Sequence, residues 1–180
     1  MGGAKKVKKR IILSLASMDD VDFIVDKKTS ASLWPYEDFV SSDKEAVRNN
    51  VIEKINSDWY KQYIIRFDDH EKTPIGEVHI HWYVKDRESW EIGYCIFPEY
   101  QGQGYCVEGA KLALKYAFED WNAHKVVAMC NEFNIASYKV LERLGMLKEG
   151  VFKDEFLWQG KWVNQFFYSI LDSEYLKIYL

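Results

Sequence analysis

Hydrophobic and polar residues near the start of the chain follow the patterns of one strand and two helices. Alternation over 11–16 predicts a strand, and Ser17 then caps a short helix with an acidic first turn. The apolar face of this helix carries Val21, Ile24 and Val25. The capping box from Ser42 to Glu45 predicts the start of a second helix. The aromatic segment between the two helices follows neither period, so we expect a loop there.

Strand alternation dominates the middle of the chain. Strands are predicted at 59–67, 75–85 and 90–96, and the polar turns between them are short, which indicates a meander. A longer helical period follows and leads directly into a strand at 125–130, so a β-α-β unit is expected. The apolar stripe of that helix consists of Val107, Ala110, Leu114, Ala117, Phe118 and Trp121.

The remaining pattern is one helix and two strands. Leu144 closes the last helical stripe, and Gly145 stops the helix. Two strands at 146–157 and 163–171 complete the order β-α-α-β-β-β-α-β-α-β-β. No linker interrupts it, so we expect a single α+β domain over residues 1–180, with residues 1–9 as a flexible basic arm.

Composition and charge narrow the function classes. The chain has 180 residues, of which 48% are hydrophobic, so it can bury a sizeable core. Its net charge of -4 provides no positive field for a phosphate backbone, which disfavours nucleic acid as the main partner. A weaker alternative is an RNA tether formed by the basic run at 5–10.

Compartment and metal use follow from what the sequence lacks. No apolar run approaches the roughly 20 residues of a membrane helix, and no signal-peptide pattern follows the first residues. The 3 cysteines are odd in number and have no CxxC pairing. We therefore expect a cytoplasmic protein with no membrane partner, no disulfide framework and no metal.

A glycine-containing segment lies at 98–106, between a predicted strand and a predicted helix. Gly102 and Gly104 permit a sharp turn, and the helix that follows directs its first N–H groups at any ligand there. This arrangement suits a pyrophosphate. No GK[ST] follows, which excludes a P-loop, and Val107 replaces the third glycine of GxGxxG. A plain strand-to-helix turn is the alternative.

The run EIGYCIFPEYQGQGY at 91–105 is followed by Glu108, by Asn134-Ile-Ala-Ser137 and by Leu144-Gly145. This set of motifs resembles the GNAT superfamily of N-acetyltransferases, and within it the Rim-type branch of ribosomal-protein N-terminal acetyltransferases. The resemblance implies a mixed central sheet of about seven strands with helices on both faces. It also implies acetyl-CoA as co-substrate and a primary amine as acceptor.

By the same resemblance, acetyl-CoA lies in a V between the strands at 90–96 and 125–130. Its pyrophosphate would meet the backbone N–H groups of 101–106, and an N–H near Cys95 or Ile96 would polarise the thioester carbonyl. Asn134 would bind the pantetheine arm, or it is simply the cap of the next helix. The implied cofactor-binding residues are Cys95, Ile96, Phe97, Gln101, Gly102, Gln103, Gly104, Tyr105, Cys106 and Asn134.

Two residues are the candidate catalytic groups. The family's usual tyrosine acid would fall on Leu141, so the resemblance leaves Ser137 to protonate the leaving thiolate, with Tyr138 as its neighbour. Glu91 matches the family's carboxylate and is expected to take the amine proton through water. Strand alternation adds a polar row that is either a cavity wall or a solvated face: Glu77, His79, His81 and Tyr83.

Aromatic residues are candidates for the acceptor wall because ring faces hold cationic amines. They are Trp34, Tyr36, Tyr83, Trp90, Trp158 and Trp162. Asn164 occupies a position where Rim-type members often carry an acid. We expect direct acetyl transfer in a ternary complex, to a peptide N-terminal α-amine. The alternatives are a small-molecule amine (polyamine, amino acid or aminoglycoside) and a silent acyl-CoA-binding module. A homodimer is left open.

Overall fold

The computed structural model of the protein describes residues 10–180. Its strands are β1 (Ile11–Leu15), β2 (Tyr60–Phe67), β3 (Pro74–Val84), β4 (Ser89–Ile96), β5 (Lys125–Asn131), β6 (Leu147–Trp158) and β7 (Lys161–Leu171). Its α-helices are α1 (Val21–Lys28), α2 (Lys44–Ile55), α3 (Tyr105–Lys115), α4 (Ile135–Arg143) and α5 (Asp172–Tyr179). The basic arm predicted at 1–9 lies outside the described residues.

The strands form one seven-stranded sheet in the order β1-β2-β3-β4-β5-β7-β6. The β4–β5 pair is parallel, and every other pair is antiparallel. The predicted mixed sheet is confirmed. Among the described helices, none is both long and apolar enough to cross a bilayer.

Two boundary predictions need correction. Asp43, not Ser42, caps α2, and its carboxylate accepts the N–H groups of Glu45 and Ala46, each at 3.0 Å. Its φ of -75° and ψ of 95° place the extended cap one residue later than predicted. The second correction is α5, which the predicted order lacks, because it begins directly at the end of β7 with no turn signal between them.

The sheet separates two apolar layers. Val78 and Ile80 of β3 are fully buried in the main core, which also contains the buried face of α3. A smaller cluster lies under α1 and α2 and includes Ile24 and Val51. The alternating polar residues of β3 therefore face the side where the short first helices pack.

The parallel β4–β5 ladder is short, and this creates the gap in which the candidate site lies. The two strands pair at Ser89 with Lys125, Trp90 with Val126 and Glu91 with Val127. β5 then continues beside β7 as far as Asn131, while β4 continues beside β3. Beyond Glu91, the edge of β4 that faces β5 lacks a ladder partner there. An extended ligand carrying amide groups fits such an edge.

Candidate active site

A cavity of about 1190 Å³ follows this gap. The segment joining α1 to α2, the two diverging strands, the start of α3 and α4 form its walls. The predicted residues that line it are Glu91, Cys95, Ile96, Gln101, Gly102, Gly104, Tyr105, Cys106, Asn134 and Ser137. The topology thus brings together residues from three separated stretches of sequence.

Two predicted cofactor residues do not line the cavity. Phe97 is buried, its N–H donates to the Ile75 carbonyl at 2.9 Å, and its ring packs edge-on against Phe23. Gln103 lies in the glycine turn but is not part of the wall. Gln101 does line the cavity, yet its side-chain amide donates to the Ile96 carbonyl at 2.8 Å. Its amide therefore holds the turn in shape.

The glycine turn has the backbone geometry that its sequence predicted. The φ angles of Gly102 and Gly104 are 73° and 80°, a region that residues with a Cβ rarely adopt. A Cβ built on Gly102 would meet no atom within 4 Å, so the backbone borders open space. The first N–H groups of α3 have no acceptor within the helix, and the helix dipole favours an anion there. These features fit the pyrophosphate of a CoA molecule.

Ser137 is held at the other wall of the gap by two neighbours. The Asn134 side chain accepts the Ser137 N–H at 3.1 Å, which confirms the helix-cap role of Asn134. The Tyr94 hydroxyl donates to the Ser137 carbonyl at 3.0 Å and lies 3.4 Å from the Ser137 hydroxyl. Burial raises the pKa of Tyr94 well above its ordinary value, so Tyr94 keeps its proton and remains a donor.

The other candidate acids are turned away or absent. Leu141, at the family's tyrosine position, is 1% exposed and belongs to the main core. Tyr138 packs at a tilt against Phe166 and does not line the cavity. Ser137 is thus the one of these three positions with a hydroxyl at the gap. The sequence analysis missed Tyr94, because nothing in its spacing shows that β4 reaches α4.

Glu77 belongs to a buried ion pair and does not line the cavity. Its carboxylate is 2% exposed and accepts the Lys28 ammonium and the Gln62 amide, each at 3.0 Å. Burial is the largest single influence and disfavours the Lys28 charge, but the charge of Glu77, the charge of Tyr60 and the hydrogen bond to Glu77 together outweigh it and raise the pKa of Lys28 above its ordinary value. Both oxygens of Glu77 are engaged, so its polar position on β3 has a structural explanation.

His79 and His81 continue the same face of β3 into the cavity. His79 lies over Gly93, where a Cβ would come within 2.5 Å of its ring, and it stacks on Tyr60 at 5.3 Å. Burial, and then the positive charge of Lys28, hold the pKa of His79 well below its ordinary value, so the imidazole is neutral. The Nε2 atom of His81 lies 3.5 Å from the Glu91 carboxylate.

Residues 10–147, which include the glycine turn, the gap and α4, match the acetyltransferase (GNAT) domain family. The chain belongs to the GNAT acetyltransferase family. Acetyl-CoA is the co-substrate of this acetyltransferase.

Two relatives are similar to this chain over about half of its length. The uncharacterised N-acetyltransferase YnaD of Bacillus subtilis is 36% identical over 101 residues, 56% of this chain and 59% of that protein. The [ribosomal protein uS5]-alanine N-acetyltransferase of Escherichia coli is 33% identical over 101 residues, 56% of this chain and 52% of that protein. Both alignments span little more than half of the relative.

A solved structure extends the likeness over nearly the whole chain. Spermidine N-acetyltransferase from Vibrio cholerae, in complex with CoA and spermine, has a TM-score of 0.81 at 25% identity and covers 92% of this chain and 98% of that one. The predicted GNAT fold and the Rim-type resemblance are confirmed, and the named relatives differ in acceptor.

The aromatic residues that line the cavity differ from the set that the sequence predicted. Trp34 and Tyr36 line the cavity, and Trp158 supports Tyr36 by stacking at 5.8 Å. Trp90 is a core residue, stacked on Trp82 at 3.8 Å. Tyr83 and Trp162 are exposed and lie outside the cavity. Trp59 and Tyr60 are among the lining aromatic residues that the sequence analysis missed, and their position depends on how α2 packs on β2.

Asn164 also has a structural explanation. Its backbone N–H and side-chain amide donate to the two oxygens of Glu132, at 2.8 and 3.0 Å, and its side-chain oxygen accepts the Asp154 N–H. Asn164 therefore joins β7 to β6 and to the end of β5. An acceptor contact from this position would break that network.

Proposed function

We propose that this acetyltransferase acetylates the α-amine of a peptide N-terminus by direct attack of the amine in a ternary complex. One observation carries the proposal. The gap between β4 and β5 has Glu91 and His81 on one wall and the hydroxyl of Ser137 on another. A group that takes a proton and a group that gives one thus border the same cavity, as acyl transfer from a thioester to an amine requires.

Residues of the chain have separate tasks in this scheme. Acetyl-CoA supplies the acetyl group, and backbone N–H groups near Cys95 and Ile96 hydrogen-bond the thioester oxygen. Glu91 takes the proton of the amine through water as the N–C bond forms. Ser137 gives its proton to the sulfur as the C–S bond breaks, and solvent restores both groups. Tyr94 holds Ser137 in place.

The cysteines support direct transfer rather than an acetyl-enzyme. Burial raises the pKa of Cys95 to about 12, of Cys106 to about 12 and of Cys130 to about 11. A thiol is a nucleophile only as its thiolate, and at neutral pH these three thiols stay protonated. Replacing all three by Ala should therefore leave appreciable turnover, and a trapped acetyl-cysteine would contradict the scheme.

The fraction of each amine that is unprotonated at pH 7 favours the α-amine over the lysine side chain as acceptor. With a pKa of about 7.7–8.0, roughly a tenth of an α-amine is neutral at pH 7, against roughly one in 2,500 of a lysine with a pKa of about 10.4. The cavity offers a carboxylate that acts through water rather than a strong base. An acceptor that already supplies its free base suits such a site.

The test is a competition monitored by CoA thiol release and mass spectrometry. A peptide with a free N-terminus and no lysine competes at several pH values with an N-blocked peptide of the same length that carries one lysine. Faster acetylation of the free N-terminus is expected near pH 7. Preferential lysine acetylation would overturn the α-amine proposal, and absence of thiol release with every amine would favour a silent acyl-CoA-binding module.

A polyamine is the second candidate acceptor. It is favoured by the likeness to a spermidine N-acetyltransferase that was solved with CoA and spermine. Spermidine therefore belongs in the same competition. A kcat/KM for spermidine above that for the peptide would support this second candidate.

A further inference from the structure

The acceptor wall, which we define as the part of the cavity lined by Lys28, Trp34, Tyr36, Lys54 and Tyr60, carries a lysine that forms no ion pair with a carboxylate of residues 10–180. The charges of Glu53 and Glu77 attract this lysine without pairing with it. Lys54 lies near the end of α2, lines the cavity half-buried, and has its ammonium 4.8 Å from the centroid of the Tyr60 ring. None of the ion pairs of the described residues includes Lys54. Tyr60 in turn stacks on His79 and His81, so only the Tyr60 ring separates Lys54 from the two histidines.

The other lysine of this wall is already satisfied. The ammonium of Lys28 lies 3.0 Å from Glu77, whose second oxygen is held by Gln62. This pair is internally neutral, and Glu77 is buried behind it. Of the two lysines that α1 and α2 bring to the cavity, Lys54 is therefore the one left for a ligand. Lys139 and Arg143 also line the cavity, but they come from α4.

The pKa values of Lys54 and His79 indicate a positive potential at the acceptor wall. Burial, and then the charge of Lys28, lower the pKa of Lys54. Lys28 and Lys54 both contribute to the lowered pKa of His79, after burial. Among the described residues, the acids that line the cavity are Glu91, beside His81, and Glu37. Neither forms an ion pair with Lys54, so a carboxylate brought by a ligand would be attracted there and a polycation repelled.

We infer that Lys54 binds a carboxylate of the amine acceptor and so selects amines that carry an acidic group close to the amine. The inference rests on the proposed function, because it names the acceptor class of the same cavity. The carboxylate has two possible sources. It is the C-terminus of a small acceptor such as a dipeptide, or an acidic side chain next to the N-terminus of a longer peptide.

Matched acceptor pairs separate these sources while keeping the amine nearly the same. The first pair is glycylglycine and glycylglycinamide. The second is a C-amidated pentapeptide with Asp at its second position and the same peptide with Asn. In at least one pair, kcat/KM should be about 10–100-fold higher for the acidic member, the factor of one charge-assisted hydrogen bond. Spermidine should be a poorer substrate than either acidic member.

Variants assign the preference to Lys54. Lys54→Met keeps the apolar stem over Tyr60 and should reduce the ratio within the preferred pair to about one, chiefly by lowering kcat/KM for the acidic member. Lys54→Arg should keep the preference. The control is Lys111→Met, because Lys111 also lies over a tyrosine ring, that of Tyr179 at 5.2 Å, but does not line the cavity. The preference of the Lys111→Met variant for the acidic member should equal that of the wild type.

An equilibrium measurement separates the inference from the proposed function. Calorimetry with N-acetylglycylglycine and its amide, both in the presence of CoA, measures carboxylate binding without turnover. Tighter binding of the acid that is lost in Lys54→Met supports the inference even if no amine is acetylated, a result that would overturn the proposed function alone. Acetylation without an acidic preference, or a preference that survives Lys54→Met, would overturn the inference alone. A preference for spermidine would overturn both the inference and the α-amine proposal. If nothing is acetylated and the acid does not bind more tightly, both fail.

Discussion

The buried pair of Glu77 and Lys28 permits a sharp test of structural against catalytic roles on β3. The perturbation is Glu77→Gln, which keeps the shape of the side chain but removes the charge that compensates Lys28. Glu77 is 2% exposed, so its loss leaves a cation without a partner in a poorly hydrated place. Removing one member of a buried pair typically costs about 3–5 kcal/mol.

The geometry favours the low end of that range. The Lys28 side chain is 21% exposed, and partial hydration would relieve part of the cost. We expect a loss of about 3 kcal/mol in the free energy of unfolding, equivalent to a fall in Tm of roughly 6–12 °C for a domain of this size. The double variant Glu77→Gln/Lys28→Met should recover most of this loss, because it removes both charges.

The assay is urea unfolding followed by tryptophan fluorescence, together with acetyl transfer well below the Tm. Both variants should retain turnover if Glu77 only compensates Lys28. A stable but inactive Glu77→Gln, with activity absent from the double variant too, would refute the reasoning and make Glu77 the base. The pKa of Lys28 is raised in the fold, so the stability from this pair is complete below the ordinary value of 10.5 and is lost only as pH rises beyond it.

Four further perturbations test the gap and its walls. Gly102→Ala should weaken acetyl-CoA binding in calorimetry by about tenfold or more. The control is Gly160→Ala, at a φ of 76° in the turn between β6 and β7, which should bind acetyl-CoA normally although both variants lose about 1–2 kcal/mol of folding stability. Equal affinities of the two variants would remove the glycine turn from the cofactor site. Ser137→Ala should lower kcat by about 10²–10⁴-fold with the KM for acetyl-CoA little changed. Tyr94→Phe should lower kcat by less, and adding it to Ser137→Ala should cost nothing more, so additive losses would show that Tyr94 acts elsewhere. Because the pKa of His79 is lowered in the fold, the unfolded chain binds a proton below about pH 6.5 that the folded protein does not bind, and the free energy of unfolding should decrease by up to about 1.4 kcal/mol for each unit by which the pH is lowered. The variant His79→Gln should lack this pH-dependent loss of stability. Parallel pH profiles of unfolding for the variant and the wild type would contradict a buried neutral imidazole.

Local features of the sequence determined much of the cofactor side. Gly102 and Gly104 adopt positive φ, and Asn134 caps α4, because backbone strain and unpaired helix N–H groups act over a few residues. The positions of the seven strands followed from alternation alone for the same reason. The family motifs are dense in this half of the chain, which is why the cofactor loop and the acetyl-CoA assignment were accessible without a structure.

The acceptor side depended on the tertiary structure. Alternation along β3 assigned Glu77, His79 and His81 to one face, but it could not show what covers that face. Lys28 comes from α1, 49 residues from Glu77, and makes one position a neutral structural pair. Lys54 comes from α2 and is left without such a partner among residues 10–180.

The contact of Tyr94 with Ser137, 43 residues apart, arises in the same way, because β4 and β5 diverge and let the first turn of α4 approach. Strand period and capping are set by interactions within one element, so the sequence alone determined them. Burial, charge compensation and the choice of which polar groups face a cavity are set by packing between distant elements, and only the tertiary structure decided those.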